Sequence, residues 1–423
     1  MSKFDKVIGY ESIKMELMQI CDMIHNKSVY EKLGAKMPNG VVLYGAPGLG
    51  KSLMAKCFIE ECGLKTFTIR KNKSDDFVEY ITDVFKKAKE NAPSIVFLDD
   101  MDKFANEDSN RRDAEEYVAV QAGIDDVKNS NVFVMATVNE IHKLPDSLIR
   151  SGRFDKKIEV CCPNSEDCVK IIEHYLSDKV VSNDVNVDDL SKMISYSSCA
   201  ELETILNEAA ILAAYQRKEF IDMNDLIKAV LRMEYNSSDN FTKVSDENMK
   251  KVALHEAGHL VVCEVLSPGS VGIASLRTTG RSSIGGFIRR CKNISETTHN
   301  ILVSLAGKAA VELCYGICAD GCERDINNAY TSIRRELSDR GTGGFGLVDV
   351  SCHHFDVSES FNSRNEAVVQ AELERLMTKT RNILIKNREF LEKATEELMK
   401  KETLLFSDIR KLRESVAVTE VML

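Results

Sequence analysis

The chain has 423 residues, too many for one ordinary domain, and a 43% hydrophobic, 29% charged composition with only six prolines excludes a disordered or low-complexity polypeptide. Acidic residues outnumber basic ones 66 to 56 and no long Lys/Arg run occurs, which excludes nucleic acid as the expected partner. Thirteen scattered cysteines with no secretory leader point to a reducing cytoplasm, and without an apolar run of about 18 residues no integral membrane segment is expected.

From Asn39 onward β-rich and helical segments alternate. Residues 41–44, 66–69, 94–98 and 131–136 read as short, fully buried strands, the pattern of a parallel α/β sheet. From residue 165 to 235 helical periodicity takes over; Leu202, Ile205, Leu206, Ala209 and Leu212 recur on one helical face. Residues 236–240, Asn-Ser-Ser-Asp-Asn, lack an apolar anchor and read as a hinge. Beyond it the chain is mainly helical, with a Gly/Ser/Thr-rich stretch over 267–287 suited to a few short strands and long charged helices over 363–401. The expected fold is therefore an α/β P-loop domain (1–164) with a helical lid (165–236), a linker (237–244) and a mainly α domain (245–423).

Gly45-Ala46-Pro47-Gly48-Leu49-Gly50-Lys51-Ser52 follows a buried strand and opens a helix, the setting a phosphate-binding loop requires. Backbone N–H groups turn toward the phosphates, Lys51 reaches the β- and γ-phosphates, and the Ser52 hydroxyl can ligate Mg²⁺. ATP with Mg²⁺ is the expected ligand, contacted by Gly45, Pro47, Gly48, Gly50, Lys51, Ser52 and Leu53. Asp99 and Asp100 follow strand 94–98 at the sheet edge where α/β folds bind ligands; Asp99 is expected to hold Mg²⁺ through water and Asp100 to orient the attacking water. The next strand ends near Asn139, and Arg150 and Arg153 flank Gly152, where arginines can reach a γ-phosphate.

His255-Glu256-Ala257-Gly258-His259 lies in an apolar helical run over 252–266. At about 100° per residue the two histidines share a face, so both imidazoles can converge on one Zn²⁺ with Glu256 beside the open position as general base. Asp325, taken by itself, reads as the N-cap of a helix over 326–337. Cys314, Cys318 and Cys322 read as buried thiols, and His353-His354 as a solvated loop pair.

With these motifs the chain resembles, over nearly its whole length, the FtsH family of AAA+ ATP-dependent zinc metalloproteases. The resemblance implies that Asn139 senses the γ-phosphate, and that Arg150 and Arg153 are offered to the neighbouring subunit of a homohexameric ring. It implies that Asp325, 66 residues after His259 (325 − 259), is the third zinc ligand, and that Asn207-Glu208-Ala209-Ala210 belongs to the lid. Residues 281–287, Arg-Ser-Ser-Ile-Gly-Gly-Phe, would be a strand along which an unfolded polypeptide substrate adds; a plain surface hairpin is the other reading.

Three departures stand out. The sequence starts at the ATPase region with no N-terminal membrane span, so it resembles a divergent member and is expected to make membrane contact only through a partner. Asp100 replaces the family's Glu, withdrawing the carboxylate by about 1.5 Å, enough to slow hydrolysis. The segment between Ile69 and Phe85 lacks the pore motif that grips a polypeptide, and its aromatics, Phe77 and Tyr80, sit at helical packing spacing. The last departure motivates an alternative: a remodelling or scaffold ATPase whose zinc site is structural or weakly active.

Overall fold

The computed structural model describes residues 2–71, 76–105, 114–150, 152–236, 246–277, 285–292, 296–316, 321–336 and 359–420. The linker, the hinge beyond Asn236, residues 281–284, Cys318 and His353-His354 lie outside them. The chain divides into two compact units, Met1–Lys179 with Tyr196–Asn207, and Val180–Ser195 with Glu208–Leu423.

In the first unit five parallel strands, β1 (Gly40–Tyr44), β2 (Lys65–Ile69), β3 (Ser94–Leu98), β4 (Val132–Val138) and β5 (Lys156–Glu159), lie in the order β2-β3-β4-β1-β5. Pairing of Gly40 with Val134 and of Ser94 with Val132 levels the C-terminal ends of the three central strands. The loops that follow them therefore open on one edge. β3 and β4 are buried throughout because each has a strand on both sides, and their sequences are nearly continuous apolar runs. β2, expected to be buried, is instead an edge strand with Lys65 and Thr68 exposed. β5 closes the opposite edge; Lys156-Lys157-Ile158-Glu159 has one apolar residue, too weak a pattern to read as a strand.

Helix Phe77–Glu90 buries Phe77, Ile81, Val84, Phe85 and Ala88, a stripe at helical spacing. The Phe77 ring meets Phe104 edge-on at 5.5 Å, and Tyr80 Oη donates to the Thr68 carbonyl at 3.0 Å. Phe77 is thus a buried packing residue, while Tyr80, 39% exposed, is held by that hydrogen bond and by stacking on Phe77 at 6.0 Å.

The second unit is built around helix Asp246–Leu266, buried from Ala253 to Val265 except at His255. Helices Thr297–Tyr315, Glu359–Lys386 and Arg388–Lys401 pack around it, which accounts for a sequence apolar nearly all round. A Cβ at Gly258 would lie 2.6 Å from the Ala306 carbonyl oxygen and 2.7 Å from the Ala310 methyl, so this glycine permits the close crossing with Thr297–Tyr315. A small antiparallel sheet, β6 (Val271–Ser275), β7 (Phe287–Arg290) and β8 (Thr403–Leu405), has the order β7-β6-β8. The buried Glu264 carboxylate accepts the backbone N–H groups of Gly269, Ser270 and Val271 at 2.8, 3.0 and 2.9 Å. That one side chain fixes how the chain leaves the helix to enter β6, and so where β7 falls. No described helix is long and apolar enough to cross a membrane.

Candidate functional site

The nucleotide loop follows β1. Gly45, Gly48 and Gly50 have φ of 145°, 79° and 85°, conformations that side chains resist; a Cβ at Gly45 would also meet the Val160 oxygen at 2.1 Å. Lys51, the first residue of helix Lys51–Cys62, is buried and donates from Nζ to the Gly45 and Ala46 carbonyls at 2.7 Å each. Burial pushes its pKa down against the upward pull of Asp100 and Asp102. Asp99 Oδ1 accepts from Ser52 Oγ at 3.0 Å and from Thr137 Oγ1 at 2.9 Å, while the Asp100 N–H donates to the same Thr137 hydroxyl at 2.9 Å. Thr137 therefore holds both aspartates. The sequence reading missed it, although a polar residue in the wholly buried β4, two positions before Asn139, was a signal.

Asp100 sits in the left-handed region, φ 54°, with Oδ2 2.6 Å from Lys103 Nζ. Asn139 lines a shared opening with Ala46 and Pro47. Beside the loop, a cavity of about 340 Å³ is walled by Ile8, Leu49, Leu53, Ile171, Tyr175 and Ala200. Arg150 is exposed. Arg153 is not: it is 4% exposed, and its Nε and Nη2 grip the Asp125 carboxylate at 3.1 and 2.6 Å while Nη1 donates to the Ser147 carbonyl. The arginine expected to face a neighbouring subunit is turned into its own, by an acid 28 residues upstream that sequence spacing does not connect to it.

In the second unit His255, His259 and Asp325 converge. The two Nε2 atoms lie 3.0 Å apart and stand 3.1 and 3.3 Å from Asp325 Oδ2. Ligand atoms about 2.0–2.1 Å from a tetrahedral zinc are separated by roughly 3.3 Å, so this donor set fits that ion. His259 Nδ1–H donates to the Val303 carbonyl at 2.6 Å, so that once Nε2 gives up its proton its lone pair faces the metal position. Asp325 is not an N-cap. The helix begins earlier, as Glu323–Arg335, with Cys322 at the cap position, which places the Asp325 carboxylate in the first turn facing the imidazoles.

Burial drives the Asp325 pKa up, but hydrogen bonds from His255 and His259 and their charge outweigh it and hold the carboxyl well below its usual range. For His259 burial acts downward and is overcome by Asp325 and Glu256, so its pKa is raised. Glu256 is buried, and desolvation raises its pKa against the opposing pull of the two histidines. Two glycines clear this space: a Cβ at Gly286 would come within 2.5 Å of Glu256 Cγ, and one at Gly307 within 2.4 Å of the His255 ring. Neither was singled out from sequence, though a glycine inside an apolar helix is itself a sign of close packing.

These residues line a cleft of about 650 Å³ whose rim includes Phe287, Ile288 and Arg289 of β7 and, from the helices, Lys251 and Arg324. Of the strand expected over 281–287 only residues 285–287 are described; there the strand is Phe287–Arg290, which includes Phe287 but not 285–286, and it pairs on one side with β6. Among the described residues its other edge has no strand partner.

Residues 41–162 match the family described as ATPase family associated with various cellular activities (AAA), and residues 242–412 match peptidase family M41. The chain is 31% identical over 440 residues to an ATP-dependent zinc metalloprotease FtsH of Leptotrichia buccalis, covering 97% of this chain and 57% of that protein. It is 29% identical over 451 residues to the like-named protein of Streptobacillus moniliformis, covering 99% and 65%. For the one of Mycoplasma pneumoniae the identity is 30% over 443 residues, covering 97% and 62%. The chain thus spans less than two thirds of the length of each of these relatives.

Proposed function

Because this chain, with its AAA and M41 domains, belongs to the FtsH family, we propose that it is an ATP-dependent zinc metalloendopeptidase acting on unfolded polypeptides. The single observation that carries this reading is the convergence of His255, His259 and Asp325 in one cleft with the buried Glu256. When bound, Zn²⁺ supplies a Lewis acid that polarises the peptide carbonyl and acidifies water. Glu256 takes the proton of the attacking water and returns it to the leaving amine, a task its raised pKa suits. The edge of β7 that has no strand partner among the described residues holds the substrate backbone in extended form, which favours unfolded segments.

In the ATPase domain Lys51 exchanges its two carbonyl partners for the β- and γ-phosphates of ATP. Ser52 and Asp99 hold Mg²⁺, Asp100 orients the attacking water, Asn139 senses the γ-phosphate, and Leu53 and the adjoining cavity take the base. The exposed Arg150 is donated to the neighbouring nucleotide in a homohexameric ring, with Arg153 holding that segment in place through Asp125. A cytoplasmic location rests on the sequence, whose thirteen cysteines are scattered and follow no disulfide pattern.

The test is degradation of an unstructured protein with ATP, without ATP, and with a zinc chelator. Cleavage that persists in chelator, or at full rate in Glu256→Gln, removes the reading. The burial of Phe77 against Phe104, with Tyr80 tied to the Thr68 carbonyl, favours a second reading, an ATPase that remodels or scaffolds a partner without cutting it. There Glu256→Gln is silent and ATP turnover alters the partner while leaving it intact.

A further inference from the structure

The cleft around the metal site is ringed by cations. Besides Glu256 and Asp325 its charged lining groups are Lys251, Arg289 and Arg324. They differ in how far each is already neutralised. Arg289 is committed: Nη1 donates to Glu234 Oε2 at 2.9 Å and to Tyr235 Oη at 3.2 Å, and Nη2 donates to the Ser195 carbonyl at 2.7 Å. Lys251, one helical turn before His255, has a 3.4 Å pair with the largely exposed Glu247, the kind of surface pair that holds its partners weakly. Its ammonium otherwise lies 5.3 Å from the centre of the Tyr315 ring.

Arg324 directly precedes the ligand Asp325, is exposed, and among the described residues has no acid or carbonyl holding its guanidinium. The neighbouring Glu323 is exposed and does not line the cleft. A Zn²⁺ with two neutral imidazoles and one carboxylate adds further positive charge. A cleft walled by low-dielectric protein concentrates that field on whatever polypeptide enters.

We propose that Arg324, assisted by Lys251, makes this a peptidase site selective for acidic side chains flanking the scissile bond, with Arg324 as the specificity-determining residue. The guanidinium offers a planar pair of donors to a substrate carboxylate, while a lysine or arginine at the same place is repelled. This rests on the peptidase reading above, and its test separates the two. Fluorogenic peptides that differ only by Glu, Gln or Lys on either side of the scissile bond are cleaved by the full chain with Zn²⁺. The readout is the ratio of kcat/KM for the Glu and Lys peptides, each normalised to the Gln peptide.

The expected ratio at one of the two positions is about tenfold in favour of Glu, the scale of one charge-assisted contact. It should fall toward one in Arg324→Gln and invert in Arg324→Glu, with zinc content checked in each variant. A wild-type ratio near one at both positions, or one unchanged in Arg324→Glu, overturns the proposal. If no peptide is cut, fluorescence anisotropy of the same peptides on zinc-loaded Glu256→Gln reads the same preference. Acid-selective binding then upholds the site while the peptidase reading fails, and equal binding of the Glu and Lys peptides ends both.

Discussion

Gly307→Ala is the most discriminating perturbation of the metal centre. The alanine Cβ would sit 2.4, 2.5 and 2.6 Å from Cε1, Nε2 and Nδ1 of His255, whereas ordinary contact begins at 3.4 Å, so the ring must retreat by about 1.0 Å (3.4 − 2.4). Its freedom to do so is small: Nε2 already lies 3.0 Å from His259 Nε2 and 3.1 Å from Asp325 Oδ2. Metal sites tolerate ligand displacements of about 0.2 Å, and a misplacement of about 1 Å costs on the order of a hundredfold in activity. Against this, a glycine-to-alanine change inside a helix stabilises the backbone by roughly 0.5–1 kcal/mol. The expected result is a split: zinc affinity, read by competition with a chromogenic chelator, falls at least tenfold, while the melting temperature of the metal-free protein stays level or rises. Wild-type zinc affinity in Gly307→Ala would refute the packing argument, and a collapse of both quantities would mean that the helix crossing, not the ring, is what the glycine protects.

Arg153→Ala should destabilise the first unit by about 1–3 kcal/mol, because it strips a buried bidentate partner from Asp125, whose side chain is 40% exposed; urea unfolding reads this, and an unchanged midpoint would remove the inward role. Asp100→Glu restores one methylene, so steady-state ATP hydrolysis should rise several-fold, up to roughly a hundredfold, despite the strain at φ 54°; no increase would mean that Asp100 is already well placed. For pH, the His259 pKa is raised above its ordinary 6.5, so in the metal-free protein the stability it draws from Asp325 is complete below about 6.5 and is lost as pH rises through the raised value. Asp325, depressed from 3.8, contributes above that pH and loses its contribution as pH falls through its lowered value. Zinc binding runs the other way, weakening by about tenfold per pH unit below the His259 pKa for each proton displaced, as chelator competition between pH 5 and 8 should record; affinity independent of pH would contradict the assignment.

Much of the chemistry was legible in the residues. Helical spacing alone puts His255 and His259 on one face, and a strand followed by a glycine loop, Lys51 and Ser52 defines a phosphate site, because those signals are local and obey the geometry of one element. Boundaries drifted where the local pattern was weak: β5 carries a single apolar residue, and β7 runs on to Arg290, three residues past the expected end at Phe287. The inward turn of Arg153 onto Asp125 had no local signature, whereas Thr137 within a buried strand and Gly307 within an apolar helix were local signals whose partners, Asp99 with Asp100 and His255, only the packing names.

By itself, then, the sequence determined which elements form and which side chains have the chemistry for phosphate and metal, since periodicity and motif spacing act within a few turns of chain. Only the tertiary structure decided that Asp325 is a partner of the histidines and not a helix cap, and that one arginine of two is exposed. Those outcomes depend on where Glu323–Arg335 and Ala114–Asp126 come to rest against distant segments, a matter of packing across tens of residues that no local pattern encodes.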